Sequence, residues 1–230
     1  MSAYIPSVVH ETDFKKYLTG LLEGDVRVIK AVIDDLLKED MPLNSIYRDF
    51  IQRSMYKVGV LWERNQIPVS IEHLAATATQ VVVSDLYLKL QSAKENCPEV
   101  IIACVPNEQH DIGTMIVANV CSVAGWKTDL LGANTPTRDL LTYIDQRKRM
   151  PDLLALSITL PANRVLLEGD LATITAKFPH LNILVGGQAL EGNENAIRFV
   201  EELLAKYPVV HHVQTLDELE HYLITFATAA

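Results

Sequence analysis

Short apolar segments alternate with longer amphipathic ones through the second half of the chain. After Pro98, five apolar runs of strand length are each followed by a stretch with helical spacing. The predicted strands are residues 100–105, 128–131, 153–158, 183–185 and 209–213, and the predicted helices are 112–124, 137–148, 165–177, 190–206 and 216–226. Apolar strands joined by helices form a parallel sheet that helices cover on both faces. The pattern therefore predicts a flavodoxin-like (Rossmann-like) doubly wound α/β domain with five strands.

The first half of the chain has helical periodicity only. Between residues 11 and 90 the apolar residues recur at helical spacing, which predicts four helices. We predict Asp25 as the N-cap of the second helix and Ser70 as the N-cap of a fourth helix from 71 to about 90. A four-helix bundle is the economical packing for these segments. Residues 91–98 lose the periodicity, so we predict a linker there, between a bundle over 11–90 and an α/β domain over 99–230.

The composition disfavours several classes of protein. A net charge of −9 and a pI near 5.2 argue against direct binding to DNA, which needs clustered Lys and Arg. Three cysteines without a CxxC spacing indicate neither a disulfide framework nor a structural zinc site. No apolar run reaches the ~18 residues of a membrane span, and residues 1–10 lack the pattern of a secretory signal. We therefore expect a cytoplasmic protein with no membrane association.

One histidine lies where such a sheet binds ligands, beyond the carboxyl ends of the strands. His110 follows the first predicted strand, and a neutral imidazole is a good ligand for a transition metal. Glu108 is placed to orient its ring. No second His or Cys nearby completes a protein-only site, so a metal bound by His110 would bring most of its own ligands, as a macrocycle does. The alternative is a solvated loop histidine, with Gly113 as a helix start and Gly186-Gly187 as a turn.

Three motifs along the chain resemble the signature of cobalamin-binding domains. They are Glu108-x-His110-x-x-Gly113, Ser157-x-Thr159-Leu160 and Gly186-Gly187. The first motif has Glu108 where the family usually has an aspartate. The resemblance implies that His110 displaces the dimethylbenzimidazole base and ligates cobalt from below, and that Glu108 orients it. It also implies that the base and its nucleotide tail enter a channel lined by the serine and glycine motifs. Such domains often follow a four-helix cap.

An element of the predicted bundle resembles the adenosylcobalamin-dependent photoreceptors. Nine residues separate Trp62 from the Glu72-His73 pair, as in the Trp-x9-Glu-His element of that group. The resemblance implies that these residues shape a pocket for the 5′-deoxyadenosyl group above cobalt. Each also has an ordinary structural explanation. Trp62 would fill the bundle core, Glu72 would be favoured by a helix dipole, and His73 would be a core histidine.

The sequence departs from the photoreceptors at two points. Glu63 follows Trp62, where some members have a histidine that ligates cobalt after illumination, so we do not expect that light adduct. Only about ten residues precede the first predicted helix, where members often carry a MerR-type DNA-binding domain. We therefore predict a stand-alone, non-catalytic light sensor that signals through a homo-oligomer, a dimer or tetramer, or through a protein partner. Some stand-alone relatives also bind a bilin as a second chromophore, which the motifs do not test.

Two other functions stay open. A corrinoid carrier for methyl transfer, the enzymatic alternative as one component of a methyltransferase system, shares the cap, His110 and the glycine motifs. Against it, Trp62 with Glu72-His73 would crowd a cobalt that must be exposed to a methyltransferase. A flavodoxin-like receiver module would require an acidic cluster and a lysine that the sequence lacks, and it leaves the cap unexplained.

Overall fold

The computed structural model describes residues 8–90 and 97–229, and the chain divides into two compact units, residues 1–88 and 89–230. The predicted linker at 91–98 falls largely on residues 91–96, which lie outside the described residues. The boundaries assigned to the linker therefore stay a prediction.

The first unit consists of helices, as the periodicity predicts. Helix α1 is Val8–Glu23, and α2 is Val26–Lys38. The next helical segment starts as α3 (Leu43–Ile46), passes through a π-helix (Tyr47–Gln52) and continues as α4 (Arg53–Glu63). Helix α5, Val69–Leu90, is the last of the unit. Counting the continuous run of α3, π-helix and α4 as one helix, the four predicted helices are present.

The two predicted N-caps of this unit have different outcomes. Asp25 caps α2, because its Oδ1 accepts hydrogen bonds from the main-chain N–H groups of Arg27 and Val28 at 3.0 and 3.3 Å. The prediction for Ser70 is wrong. The main-chain carbonyl of Pro68 accepts from Ile71 at 3.0 Å, so α5 begins before Ser70 and this residue lies inside the first turn.

The second unit is a five-stranded, fully parallel sheet in the order β2-β1-β3-β4-β5, which confirms the flavodoxin-like prediction. The strands are β1 (Glu99–Cys104), β2 (Lys127–Gly132), β3 (Leu153–Ser157), β4 (Asn182–Gly186) and β5 (Val210–His212). The helices are α6 (Ile112–Val123), α7 (Thr137–Asp145), α8 (Arg164–Lys177), α9 (Glu194–Lys206) and α10 (Leu216–Ala229). Strands β1, β3 and β4 are buried along nearly their whole length, as expected for a sheet with two covered faces.

The predicted start of the helix at 190 is wrong. Residues Gln188–Leu190 form a 3-10 turn, and α9 begins only at Glu194. Gly192 has φ +89°, a left-handed conformation that interrupts helical geometry. Asn193 then caps α9 by accepting from the Ala196 N–H at 3.0 Å.

The order of the strands fixes where this sheet opens. From β1 the chain passes to β2 on one side, and then returns across to β3 on the other. The connections after β1 and β3 therefore diverge and leave a crevice at the carboxyl edge, which is the ligand site of doubly wound sheets. Among the described residues, no helix has the length and apolarity needed to cross a membrane.

Candidate functional site

Glu108 connects the loops after β1 and β3, which diverge at this crevice, through hydrogen bonds. It follows β1 and its side chain is fully buried. Its Oε2 accepts hydrogen bonds from the main-chain N–H groups of Thr159 at 2.8 Å and Leu160 at 3.0 Å, which both follow β3. The carboxylate therefore joins the two sides of the switch point.

The hydrogen bonds keep this buried carboxylate ionised. Burial acts to raise the pKa of Glu108, but hydrogen bonds from His110, Leu160 and Thr159 outweigh it and lower the pKa from 4.5 to about 2. A buried charge is tolerated when its lone pairs are satisfied. Glu108 is therefore a fixed acceptor at neutral pH.

The ring of His110 is held by Glu108 and is still open to solvent. Glu108 Oε1 accepts from the main-chain N–H of His110 at 3.1 Å, and its distance to the ring Nδ1 is 2.5 Å. Because an ionised carboxylate can only accept, Nδ1 carries a hydrogen, which leaves Nε2 as the ring nitrogen that could bind a metal. The His110 side chain is 56% exposed. A solvated loop histidine would explain that exposure but would leave the buried carboxylate unexplained.

Cys104 supports the same loop without competing as a ligand. Its Sγ donates to the His110 main-chain carbonyl at 3.6 Å. Burial raises the pKa of its thiol to about 12. Since thiolates rather than thiols bind metals, this thiol is a poor metal ligand, and the imidazole is the group of this loop that is suited to bind one.

Asn163 belongs to this site, although the sequence did not reveal it. It is buried, and its Nδ2 donates to Glu108 Oε2 at 3.0 Å. It occupies the N-cap position of α8 without making a side-chain capping bond. An Asn at a helix start usually caps that helix. This Asn interacts with Glu108 instead. The one sequence feature that could have indicated this role is its position six residues after Ser157, in the loop that follows β3.

The loop after β2 holds the backbone of the same region. Asn134 Oδ1 accepts from the Asn107 N–H at 2.8 Å, and the Asn134 N–H donates to the Glu108 carbonyl at 2.7 Å. Both asparagines have positive φ, +65° for Asn107 and +48° for Asn134, a conformation that asparagine tolerates better than most residues. Three loops, after β1, β2 and β3, thus meet around Glu108.

The Ser157-x-Thr159 motif contacts this network through its main chain. The Ser157 carbonyl accepts from the Val105 N–H at 3.3 Å, and Thr159 donates its main-chain N–H to Glu108. Both side chains are half-buried. Their assignment to cofactor binding stays a prediction.

Gly187 has a structural requirement of its own. Its φ is +111°, and a Cβ built there would lie 2.2 Å from the carbonyl oxygen of Ile158. Only glycine therefore allows the loops after β3 and β4 to approach this closely. Gly186 is less constrained, with a Cβ position 3.3 Å from the Val213 carbonyl oxygen.

Gly113 has no such requirement. It is the second residue of α6, and a Cβ built there meets no described atom outside the adjacent backbone within 4 Å. Glycine weakens a helix by about 0.5–1 kcal/mol relative to alanine. The fold therefore gives no reason for glycine at this position beside His110.

Trp62 lies next to the end of α4 and is 46% exposed, so the core interpretation of this residue is wrong. The turn after it is a C-terminal capping motif. Asn65, at φ +54°, donates its N–H to the Trp62 carbonyl, and Gln66 donates to the Leu61 carbonyl, both at 2.9 Å. This turn leads into α5, on which Glu72 and His73, the other two residues of the predicted adenosyl pocket, lie.

Glu72 and His73 form a hydrogen-bonded pair in the first turn of α5. Glu72 Oε2 lies 2.7 Å from His73 Nδ1. The His73 ring is mostly exposed, so it is not the core histidine of the alternative interpretation. Glu72 lies at the helix start, where the dipole alone favours an acid, and that explanation stays open.

A doubly wound sheet with an oriented, exposed histidine at its switch point defines a ligand-binding α/β domain. The chain belongs to the B12-binding family. One family described as a B12 binding domain matches residues 14–87, and a second with the same description matches residues 98–204. The protein is therefore a cobalamin-binding protein.

Curated relatives include two transcriptional repressors and one corrinoid protein. The HTH-type transcriptional repressors CarA and CarH of Myxococcus xanthus are 27% and 26% identical to this chain, over 85% and 80% of it. Dimethylamine corrinoid protein 3 of Methanosarcina acetivorans is 29% identical over 50% of this chain and 54% of its own length. This chain spans 67% of the length of CarA and 60% of the length of CarH.

Solved structures agree on the fold. The monomethylamine corrinoid protein of Methanosarcina barkeri matches with a TM-score of 0.76 and 14% identity, over 94% of this chain and 99% of that one. The methanol:cobalamin methyltransferase complex MtaBC of the same organism matches with a TM-score of 0.50 and 13% identity, over 100% and 87% of the two chains. At these identities the likeness supports the fold alone.

Proposed function

We propose that the protein is a light sensor that binds adenosylcobalamin, with His110 as the lower ligand of cobalt. The observation that carries this proposal is the buried, ionised Glu108, which fixes the ring of an exposed histidine. Metal-binding histidines commonly donate their second ring nitrogen to a carboxylate, which raises their basicity as ligands. The residues present therefore fit the cofactor.

Each site residue has one task in this proposal. His110 supplies Nε2 as the ligand, and Glu108 sets the ring orientation through Nδ1. Gly113 leaves open space beside the imidazole, and the loops at Ser157, Thr159 and Gly186-Gly187 receive the nucleotide tail. Trp62, Glu72 and His73 form the pocket of the adenosyl group. Bound adenosylcobalamin supplies a cobalt–carbon bond that visible light can cleave.

The sensor function requires a bistable element, which we place in the helical bundle. Trp62 would cover the adenosyl side of the bound cofactor, and the bundle would repack around the indole when that contact is lost. The output is a change in self-association or in the binding of a protein partner. The adenosyl form of the cofactor and this output both belong to the proposal.

The test is reconstitution in the dark with adenosylcobalamin, followed by absorbance spectra before and after green light. We expect stoichiometric binding and a spectral change on illumination that goes further than that of free cofactor. His110→Ala should weaken binding by about a hundredfold or more, since loss of even an outer-shell partner of a metal ligand costs about 10–100-fold. His180→Ala removes an exposed histidine elsewhere in the second unit and should bind normally. Equal binding by both variants would exclude His110 as the lower ligand.

The adenosyl pocket is tested by comparing two exposed aromatics of α4. Trp62→Ala should lose the preference for adenosylcobalamin over hydroxocobalamin, while Tyr56→Ala should keep it, since Tyr56 is similarly exposed (50%) and has no assigned role. An unchanged preference in Trp62→Ala would remove the tryptophan from the proposal.

A corrinoid carrier for methyl transfer is the second candidate. The similarity to dimethylamine corrinoid protein 3 favours it. This function predicts tighter binding of methylcobalamin than of adenosylcobalamin, and transfer of the methyl group to an acceptor when a methyltransferase is added. Light-insensitive methyl transfer of this kind would replace the sensor proposal.

A further inference from the structure

The turn after β4 is held on one side by the loop after β3. Residues Gln188–Leu190 form this 3-10 turn, directly after Gly186-Gly187. The Ile158 N–H donates to the Gly186 carbonyl at 3.1 Å, and the Ala189 N–H donates to the Ile158 carbonyl at 3.3 Å. These bonds fix the turn next to the two glycines that the proposed function assigns to the nucleotide tail.

Arg164, the first residue of α8, holds the same turn through a second contact. Its Nε donates to the Ala189 carbonyl at 2.7 Å. Its guanidinium carbon lies 5.8 Å from the centre of the Phe199 ring on α9, within the range of a cation–π interaction. Ala189 is buried, and a buried carbonyl needs a donor. Arg164 supplies that donor from another element of the fold.

The electrostatics of α8 disfavour an arginine at its first residue. The N-terminal end of a helix carries a partial positive charge, which is unfavourable for a cation in the first turn. Asn163, the preceding residue, does not cap α8 either, because its Nδ2 donates to Glu108. Two consecutive side chains at the start of α8 therefore bind other loops, one after β1 and the other after β4.

We propose that Arg164 is a positioning residue for the nucleotide tail of the corrinoid. Its hydrogen bond to Ala189 keeps Gly186-Gly187 in place to receive the tail, so this inference rests on the proposed function. The role requires a donor at the position of Nε and does not require the positive charge. Loss of the donor should therefore weaken the binding of a corrinoid that has a tail and spare one that lacks it.

Two substitutions separate the hydrogen bond from the charge. The amide nitrogen of glutamine occupies the place along the side chain that Nε has in arginine, so Arg164→Gln keeps a donor without the charge. Methionine is also unbranched but has no donor, so Arg164→Met removes both. Arg198→Met makes the same change at an exposed position on α9 and is the matched control.

The first test compares cobalamin with cobinamide, which lacks the nucleotide tail, both carrying the same upper ligand and bound to the full chain in the dark. We expect Arg164→Met to bind cobalamin about tenfold more weakly, as for one lost hydrogen bond, and to bind cobinamide as wild type does. Arg164→Gln and Arg198→Met should match wild type with both. Equal weakening of both corrinoids in Arg164→Met, or no weakening, would overturn the proposal. Arg164→Gln as weak as Arg164→Met would overturn the role of the hydrogen bond.

Amide hydrogen exchange of the cofactor-free chain tests the positioning without a corrinoid. The Ala189 N–H, which donates to Ile158, reports how firmly the turn is held. Relative to the Ile183 amide of β4, it should exchange about tenfold faster in Arg164→Met than in wild type or Arg198→Met. Unchanged exchange would overturn the positioning role even if cobalamin binds. Faster exchange, with a wild type that binds neither corrinoid, would reject the proposed function and leave Arg164 as the residue that holds the turn.

Discussion

Glu108 is a single residue on which the geometry of the site depends. Its two oxygens accept five hydrogen bonds, two from His110 and one each from Thr159, Leu160 and Asn163. Glutamine has nearly the same shape, but its amide nitrogen is a donor. In whichever orientation the amide is placed, a glutamine side chain here would direct a donor at two or three other donors.

Glu108→Gln should therefore destabilise the protein. We expect the free energy of unfolding at pH 7 to fall by about 2–4 kcal/mol, since buried donors lose their acceptor. Urea denaturation of wild type, Glu108→Gln and the exposed control Glu201→Gln measures this. A change no larger than that of the control would contradict the role of Glu108.

The pH dependence of stability gives a second measure of the same residue. The pKa of Glu108 is lowered to about 2 from 4.5, so its contribution is fully present above about pH 4.5 and is lost as the pH falls toward 2. The difference in unfolding free energy between wild type and Glu108→Gln should therefore shrink over that window. A difference that stays constant from pH 6 to the acid limit of folding would contradict the lowered pKa.

Substitution of Gly113 should affect stability and cobalamin binding in opposite directions. Alanine there fits the fold, so Gly113→Ala should raise the free energy of unfolding by about 0.5–1 kcal/mol. If a cofactor lies beside His110, the added methyl group should weaken cobalamin binding about tenfold, or ~1.4 kcal/mol. Gly169→Ala in α8 is a matched control, because its Cβ position is equally open. It should stabilise the protein and leave binding unchanged. Equal affinities in both variants would place the cofactor away from Gly113.

At the scale of elements, the loops after β3 and β4 depend on one close approach. Gly187→Ala adds a Cβ against the Ile158 carbonyl and a strained φ, and should cost about 2–4 kcal/mol of stability. Gly192→Ala provides the control, since Gly192 has a similar φ and open space around its Cβ position. It should lose only the ~1–2 kcal/mol of left-handed strain. Equal losses in thermal or urea unfolding would show that the close approach adds nothing.

The elements could largely be predicted from sequence, because apolar periodicity reports burial directly. The five strands and their parallel order follow from buried runs such as Ile101 and Ile183, each followed by a helix. The ends of the helices were less predictable. Ser70 is not the N-cap of α5, because the main-chain carbonyl of Pro68 accepts the first hydrogen bond of that helix. Helix α9 begins later than predicted, because Gly192 has a left-handed conformation. The π-helix at Tyr47–Gln52 has the same apolar spacing as an α-helix, so no pattern distinguished it.

The candidate site was predictable only in part, for a physical reason. Glu108 and His110 are two residues apart, so their interaction is local and could be predicted from their spacing in the sequence. Asn163 and Asn134 meet Glu108 across the sheet edge, where proximity depends on which loops converge. The residues alone predict only a metal held in a macrocycle. The identity of that ligand as cobalamin came from the resemblance to cobalamin-binding domains.

At the scale of the whole molecule, the proposed function requires light to change an assembly. Gel filtration with light scattering, on dark and illuminated samples loaded with adenosylcobalamin, should give two different masses, because the proposed sensor signals through a change in self-association. Identical masses for wild type in the dark and light would leave partner binding as the output.

Electron paramagnetic resonance shows directly whether His110 ligates cobalt. The protein is labelled uniformly with ¹⁵N, loaded with unlabelled cobalamin and reduced to the cobalt(II) state. A nitrogen ligand from the protein splits each cobalt line into a doublet when it is ¹⁵N and into a triplet when it is ¹⁴N. We expect doublets in the labelled wild type, and their loss in His110→Ala but not in His180→Ala. Triplets that persist in the labelled protein would show that the cofactor keeps its own base, and would exclude His110 as the ligand.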